Sequence, residues 1–246
     1  MSKVLATYNV KGGVGKTSAA VNLAYLAAHG GSHALLWDLD PQGASTYLFR
    51  VKPKVRGGGR NLVRLKTDVD DVIKGTDYEQ LDLLPADFSY RHMDLALDST
   101  KRPTSRLSKV IKPLRDEYDW IFLDCPPSIS LVSESVFDAA DALLVPIIPA
   151  TLSSRTFEQL IKLVQGGPQV LAFFSMVDGR KTLHREVMEE LRSDSSSLLD
   201  AWIPASADVE RMGARRTVIA EFAPRSRASL AYEDLWAEVQ RRLEDA

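Results

Sequence analysis

Residues 11–17 read Lys-Gly-Gly-Val-Gly-Lys-Thr, and they follow the apolar run Val-Leu-Ala-Thr-Tyr at 4–8. The apolar run has the length and composition of a buried strand, and residues 19–28 have the pattern of a helix. A glycine-rich segment between a strand and a helix can turn its backbone N–H groups inward, towards an anion at the helix N-terminus. The stretch therefore predicts a phosphate-binding loop.

The residue types in this loop suit a nucleoside triphosphate. Lys16 offers a positive charge to the β- and γ-phosphates, and Thr17 offers a hydroxyl to Mg²⁺. Glycines permit the tight backbone turn that the phosphates require. The predicted nucleotide contacts in the loop are Lys11, Gly12, Gly13, Val14, Gly15, Lys16, Thr17 and Ser18.

The loop departs from the ordinary pattern Gly-x-x-x-x-Gly-Lys-[Ser/Thr] at its first position. Val10 stands where that pattern has glycine, and Lys11 follows it. A lysine at the loop entrance points away from its own helix, so we expect Lys11 to reach a nucleotide held by a second subunit. Lys11 and Lys16 are both candidate catalytic residues.

Aspartates follow two further predicted strands. Asp38 and Asp40 come after the run at 34–37, and Asp124 comes after the run at 120–123. Carboxylates at the carboxyl ends of parallel strands lie in the crevice where such sheets bind ligands. We expect Asp124 to bind Mg²⁺, Asp38 to support the metal and Lys16, and Asp40 to position the attacking water. Each aspartate alone could instead cap the helix that follows it.

Strand-like and helix-like runs alternate along the whole chain. This alternation predicts an α/β protein with a mostly parallel, twisted sheet and helices on both faces, in the manner of a P-loop NTPase. One domain over residues 1–246 accounts for it, with a C-terminal helix near 229–243 closing one flank. The predicted strands are 3–9, 34–37, 81–84, 120–123, 142–147 and 170–176.

Several short motifs occur together along nearly the full length. They are Asp-Leu-Asp-Pro-Gln-Gly at 38–43, Leu-Leu-Pro-Ala at 83–86, Asp-Cys-Pro-Pro-Ser at 124–128, Val-Pro-Ile at 145–147, Phe-Phe-Ser-Met-Val-Asp at 173–178 and Ile-Pro at 203–204. With the two-lysine loop, this set resembles the deviant Walker A ATPases of the ParA/MinD family, and most of all their ParA (Soj-like) branch.

The resemblance implies a cytoplasmic, nucleoid-associated ATPase that uses Mg²⁺ and forms a homodimer with ATP. It further implies nonspecific binding to double-stranded DNA and stimulation of ATP hydrolysis by a ParB-like or adaptor protein. Such a cycle positions or segregates plasmids, chromosomes or protein assemblies. The same resemblance suggests that adenine lies near Asp178, Pro204 and Ser206.

Basic residues form local groups in a chain whose formal net charge is −2. The resemblance assigns Arg180 and Arg211 to DNA phosphates, with Arg215 and Arg216 beside them, although ordinary surface arginines would look the same. The segment 50–66 contains seven basic residues and no acid, and its glycines and proline predict a mobile loop. It is either a nucleotide-state sensor or a solvated connector.

Three other function classes are weighed against this interpretation. A MinD-like positioning ATPase on a membrane surface would need a basic amphipathic C-terminal helix, and acids at 233, 234, 238, 244 and 245 interrupt that pattern. A metallocluster carrier would need several cysteines, whereas Cys125 is the single cysteine of the chain. A small-molecule synthetase would need a substrate site that no motif indicates. No apolar run is long enough to predict a membrane span.

Overall fold

The computed structural model describes residues 2–244. Both ends of the predicted domain, at residues 1 and 246, and the acid at 245 lie outside the described residues. The described residues form an eight-stranded sheet in the order β3-β4-β2-β5-β1-β6-β7-β8. Its strands are β1 (Lys3–Thr7), β2 (Ala34–Asp38), β3 (Lys74–Gly75), β4 (Leu81–Leu84), β5 (Trp120–Asp124), β6 (Ala142–Ile147), β7 (Gln169–Val177) and β8 (Leu198–Pro204).

The sheet is parallel apart from the short edge strand β3, which pairs antiparallel with β4. The central strands are apolar without a break because both faces are covered. All five residues of β2 and all six of β6 are buried. The predicted α/β fold with a mostly parallel sheet is therefore confirmed.

Helices connect the strands and cover both faces. The α-helices are α1 (Lys16–His29), α2 (Ala44–Leu48), α3 (Gly58–Val63), α4 (Met93–Asp98), α5 (Arg106–Ile111), α6 (Leu131–Ala139), α7 (Ser153–Leu163), α8 (Thr182–Asp194), α9 (Ala207–Arg215), α10 (Ile219–Phe222) and α11 (Arg227–Glu244). Short 3₁₀ helices lie at Phe88–His92, Pro103–Ser105 and Lys112–Asp116.

Two apolar cores lie on opposite faces of the sheet. Successive side chains of a strand point to opposite faces, so β1 contributes Val4 and Ala6 to one core and Leu5 to the other. The core that contains Leu5 also holds the apolar faces of α1 and α11. Both cores hold the strands in place, so that the carboxyl ends of the parallel strands lie together along one side of the sheet.

The C-terminal helix closes one flank, as the sequence predicted. Its side chains Leu235, Val239 and Leu243 are buried in the core, and Trp236 packs edge-on against Trp120 of β5 with ring centroids 4.8 Å apart. Within residues 2–244, no helix has both the length and the apolar content needed to cross a bilayer.

The prediction of a mobile loop at 50–66 is wrong. Residues 58–63 of this segment form α3, and Val55, Leu62 and Val63 are buried in the core. The glycines permit close contact rather than motion: a Cβ on Gly59 would lie 2.7 Å from the ring of Tyr90. The basic side chains are therefore carried by a packed part of the fold.

Candidate nucleotide-binding site

The predicted phosphate loop connects β1 to α1 at the centre of the sheet. Gly15 has φ +96, and a Cβ there would lie 2.8 Å from the Ser175 hydroxyl oxygen. Both the conformation and the contact require glycine at this position. Helix α1 begins at Lys16 without a side-chain cap, so its first backbone N–H groups face the loop interior. These donors are suited to bind phosphate oxygens.

Asn9 fixes the entrance of the loop, a role that sequence analysis missed. Its buried side chain donates to the Pro146 carbonyl in β6 at 2.8 Å and accepts from the backbone N–H of Lys11 at 2.9 Å. The loop is thereby tied to a neighbouring strand. Only the alignment of β1 with β6 brings these groups together, so local sequence carries no signal for this contact.

The two lysines of the loop differ in exposure. Lys16 is only 7% exposed, and its ammonium donates to the carbonyl of Lys11 at 2.8 Å. Burial lowers the pKa of Lys16, although the negative charges of Asp124 and Asp40 oppose the shift. The side chain of Lys11 is exposed. The buried lysine thus faces its own loop, and the exposed lysine is free to contact groups outside the chain.

Two predicted carboxylates lie side by side beneath the loop. Asp38 ends β2 and Asp124 ends β5, and the two residues are partners in the register of these strands. Both are fully buried. Ser45 donates to Asp124 at 2.7 Å, and the backbone N–H and hydroxyl of Thr46 donate to Asp38 at 2.8 and 2.7 Å. The start of α2 therefore holds both carboxylates in place.

Burial raises the pKa of both carboxyls. It is the largest cause for Asp38, whose pKa rises to about 7, with the neighbouring Asp124 charge adding to it. The pKa of Asp124 rises to about 6 through burial, although hydrogen bonds from Ser45 and Thr17 oppose the shift. Two buried carboxylates with raised pKa values mark a position where a cation would stabilise the ionised forms.

The donor set at this position suits a magnesium ion bound together with phosphates. Within residues 2–244 no group of three or more His, Cys, Asp or Glu side chains is placed to hold a metal. Mg²⁺ commonly uses one or two carboxylates, a hydroxyl, water and substrate phosphates instead. Thr17, Asp124 and Asp38 fit that arrangement, and the assignment of these three metal residues stays a prediction.

Asp40 lies just beyond the buried pair and is partly exposed. One oxygen of its carboxylate accepts from the backbone N–H of Gln42 at 2.9 Å, and its own backbone N–H donates to Asp38 at 3.3 Å. This turn directs a carboxylate to the solvent side of the site. The role of Asp40 in positioning water stays a prediction.

The predicted adenine contacts also lie at the carboxyl ends of the parallel strands. Asp178 follows β7, Pro204 ends β8, and Ser206 caps α9 by accepting from the Asp208 N–H at 3.2 Å. Asp178 also accepts two hydrogen bonds of 2.9 Å from the Arg180 side chain, which hold its pKa below the usual range. An adenine contact by Asp178 would have to share this carboxylate with Arg180.

The four predicted DNA contacts are surface arginines with partners inside the chain. Arg211 pairs with Asp208 at 3.1 Å, Arg215 lies over the Phe222 ring, and Arg216 lies over the Tyr47 ring. The Arg180 side chain is 91% exposed despite its pairing with Asp178. All four remain predictions.

His184, which follows Arg180 closely in the sequence, lies in the interior and not on the basic surface. The imidazole is buried, its Nδ1 accepts from the Asp178 N–H at 3.1 Å, and burial lowers its pKa. It supports a loop rather than adding charge to the surface.

Cys125 is a small core residue, as expected for a lone thiol. It is 2% exposed and lies directly after Asp124. Burial and the neighbouring carboxylate raise the pKa of its thiol.

Comparison with known proteins identifies the family. A family model described as an AAA domain matches residues 2–169. The chain is 30% identical to the sporulation initiation inhibitor protein Soj of Bacillus subtilis over 249 residues, which cover 97% of this chain and 98% of Soj. The chain belongs to the ParA/MinD family of P-loop ATPases. It is also 29% identical to the chromosome partitioning protein ParA of Caulobacter vibrioides, over 99% of this chain and 96% of that protein.

Solved structures share the fold of this ATPase over almost its whole length. Apo McdA of Cyanothece superposes with a TM-score of 0.84 at 20% identity, covering 99% of this chain and 100% of McdA. A cobyrinic acid a,c-diamide synthase of Mycobacterium smegmatis, with bound ADP and magnesium, gives 0.84 at 24% identity, covering 99% and 96%. At these identities the likeness establishes the P-loop fold, and the fold alone does not choose between a positioning ATPase and a synthase.

The raised pKa of Asp38 predicts how stability depends on pH. Between the ordinary carboxyl pKa of about 4 and the raised pKa of Asp38, the folded state binds a proton at Asp38 that the unfolded state has lost, so the contribution of this carboxyl to the free energy of unfolding falls as pH rises. Asp38→Asn removes this proton uptake. Relative to the original protein, the variant should become more stable with rising pH, by at most roughly 1.4 kcal/mol per pH unit.

Urea unfolding of the metal- and nucleotide-free protein at several pH values measures this difference. Asp68→Asn, which removes an exposed carboxylate, controls for the loss of one charge. If the free energy of unfolding of Asp38→Asn fell relative to that of the original protein as pH rises, this would contradict a raised pKa at Asp38.

Proposed function

We propose that this chain is an ATP-dependent molecular switch that dimerises on ATP, binds DNA without sequence preference and positions or segregates a cargo. The observation that carries the proposal is that two lysines and three aspartates lie together at the carboxyl ends of the parallel strands. They are Lys11, Lys16, Asp38, Asp40 and Asp124. The names of Soj and of the partitioning protein ParA among its relatives support the same cycle.

The nucleotide in this proposal is ATP with Mg²⁺. An McdA variant of the same fold was solved as an ATP complex, and the synthase was solved with ADP and magnesium. In this chain the loop backbone and Lys16 would bind the phosphates, while Thr17 and Asp124 would hold the metal with support from Asp38. When bound, Mg²⁺ supplies positive charge against the β- and γ-phosphate oxygens and the buried carboxylates.

Hydrolysis in this proposal transfers the γ-phosphoryl group to water and yields ADP and phosphate. Asp40 orients the water, since its carboxylate is partly exposed beside the phosphate loop. Lys16 stabilises the negative charge that spreads over the phosphoryl oxygens. We expect a low rate for the isolated protein and stimulation by a ParB-like or adaptor partner together with DNA.

Asp40→Ala should therefore separate binding from turnover. The variant should bind ATP and dimerise but hydrolyse about 100-fold more slowly or worse, because the water loses its positioning group. Calorimetry measures ATP binding, and phosphate release in the presence of DNA measures turnover. Asp68→Ala is the matched control for an exposed carboxylate. Turnover of Asp40→Ala at the original rate would remove Asp40 from the catalytic set.

The dimer in this proposal forms across the nucleotide-bearing edge. Exposed apolar side chains lie at or after the carboxyl ends of four strands: Phe88 after β4, Ile129 after β5, Leu152 after β6, and Met176 as the last residue but one of β7. Each is at least 38% exposed, although isolated exposed apolar residues are ordinary. Their concentration beside exposed Lys11 favours a second copy seated on this edge.

Lys11→Ala tests this interface. If Lys11 contacts the nucleotide of the second subunit, the variant should dimerise more weakly with ATP and hydrolyse more slowly. A cation supplied in trans is worth roughly 10³–10⁵ in rate in related phosphoryl-transfer systems. Sedimentation velocity with ATP and phosphate release measure the two effects. Lys112→Ala, at an exposed lysine just before β5, is the control. Unchanged dimerisation with unchanged turnover would refute the role in trans.

The proposed DNA-binding surface consists of four arginines. Arg180, Arg211, Arg215 and Arg216 lie near β7, α9 and the end of α9. Their intrachain partners leave each guanidinium partly available, and dimerisation would place two such sets on one particle. Phosphate contacts of this kind carry affinity without sequence information. They would also associate the protein with the nucleoid in the cytoplasm.

The salt dependence of binding tests the assignment. Affinity for unrelated duplexes should appear with ATP and fall with salt at a log–log slope of about −0.9 per neutralised phosphate. Arg211→Ala and Arg180→Ala should each weaken all duplexes alike and make the slope shallower, and Arg211→Ala, which lies apart from the predicted adenine contacts, should leave ATP affinity unchanged. Lys112→Ala again serves as control. Failure of the original protein with ATP to bind any duplex at low salt would overturn the DNA-scaffold proposal.

The alternative of a MinD-like ATPase on a membrane surface needs a C-terminal helix with a free apolar face. In α11 the side chains of Leu235, Val239 and Leu243 are buried against the sheet. This arrangement favours the DNA-based switch over the membrane-based one.

A further inference from the structure

A cleft of about 630 Å³ lies at the edge of the sheet that is farthest from β8. Edge strand β3 forms one wall, and the first part of the basic segment 50–66 forms the other. Its lining combines an apolar floor with a cationic rim. The apolar residues are Val51, Val55 and Val72, and the charged ones are Lys52, Lys54, Arg56, Lys74 and Asp71.

The cleft carries a net positive charge. All four cations are exposed, and within residues 2–244 none of them forms an ion pair with a carboxylate. The ammonium of Lys74 contacts only the backbone carbonyl of Asp71, at 3.4 Å. Four positive charges face two carboxylates, Asp71 in the lining and Asp87 near Lys54, and the remaining positive charge attracts an anion.

Hydrogen bonds hold the backbone of the rim in one defined conformation. The N–H of Val55 donates to Asp87 at 2.8 Å, and the N–H of Gly59 donates to Ser89 at 2.9 Å. Burial disfavours the Asp87 carboxylate, but hydrogen bonds from Ser89 and Val55 and the charge of Lys54 outweigh it and lower its pKa. Because the rim is preorganised, a ligand would lose little free energy in ordering it.

We propose that this cleft docks an acidic segment of another protein that also carries apolar side chains. The valine floor favours such a peptide over a nucleic acid, because a phosphate backbone has no apolar groups to place in a recess. The cleft is also distinct from the nucleotide site, since β4, β2 and β5 separate β3 from the loop strand β1. None of the residues that line the cleft belongs to the predicted phosphate loop, so this proposal does not rest on the proposed switch.

A direct binding assay tests the proposal. The probe is a fluorescein-labelled dodecapeptide in which glutamate alternates with leucine, added to the full chain without nucleotide and followed by fluorescence anisotropy. Affinity should fall as salt rises. Lys52→Ala combined with Arg56→Ala should weaken binding about 3- to 10-fold, since each exposed pair contributes little. The charge-reversed variant Lys52→Glu with Arg56→Glu should abolish it.

The matched control is Arg60→Ala with Lys66→Ala, which removes two exposed cations of the same segment that do not line the cleft. It should bind the probe like the original chain. Equal losses in the two double variants would overturn the cleft assignment, and so would equal binding of a probe with serine in place of leucine.

Two further measurements distinguish other occupants. If a short DNA duplex loses affinity in the cleft variant while the peptide does not, the cleft is a nucleic-acid surface and the proposal is overturned. If the cleft variant alone changes the sedimentation of the peptide-free protein, the occupant is a second copy of this chain. ATP affinity is measured for every variant and should be unchanged. A failure of the cleft proposal can then be distinguished from a failure of the proposed ATPase function.

Discussion

The pairing of β2 with β5 is the constraint on which the rest of the site depends. This register places Asp38 against Asp124, both fully buried, beneath a loop whose only buried cation is Lys16 among the described residues. Two neighbouring carboxylates in a region of low polarity cannot both ionise without a compensating charge. The two buried carboxylates therefore favour the binding of a metal cation, which can in turn bind the phosphates of a ligand.

The fold and the centre of the site could be predicted because local sequence encodes them. The strand before the loop, the glycines within it and the aspartates at two strand ends each follow from a pattern of a few neighbouring residues. Alternating strand and helix patterns also indicated the parallel sheet. The six predicted strands deviate little from the observed ones, as where β1 ends at Thr7 rather than at residue 9, whereas β3 and β8 lie outside the predicted set.

Other features depend on contacts between distant parts of the chain, and local patterns do not contain them. Asn9 acquires its role only when β1 lies beside β6. Thr46 supports Asp38 while accepting from the backbone N–H of Ala86, a residue 40 positions away. The glycines at 57–59 indicated mobility because their neighbours across the fold, Ser89 and Tyr90, were invisible in the local sequence.

The single thiol of the chain gives the site a built-in chemical reporter. Cys125 lies beside Asp124 in the interior, and its raised pKa keeps it in the unreactive protonated form. A thiol reagent can reach it only when this part of the sheet opens, so the alkylation rate measures the frequency of local opening. Because there is no second cysteine, that rate can be followed in the unmodified protein, and a ligand that closes the sheet edge should slow it.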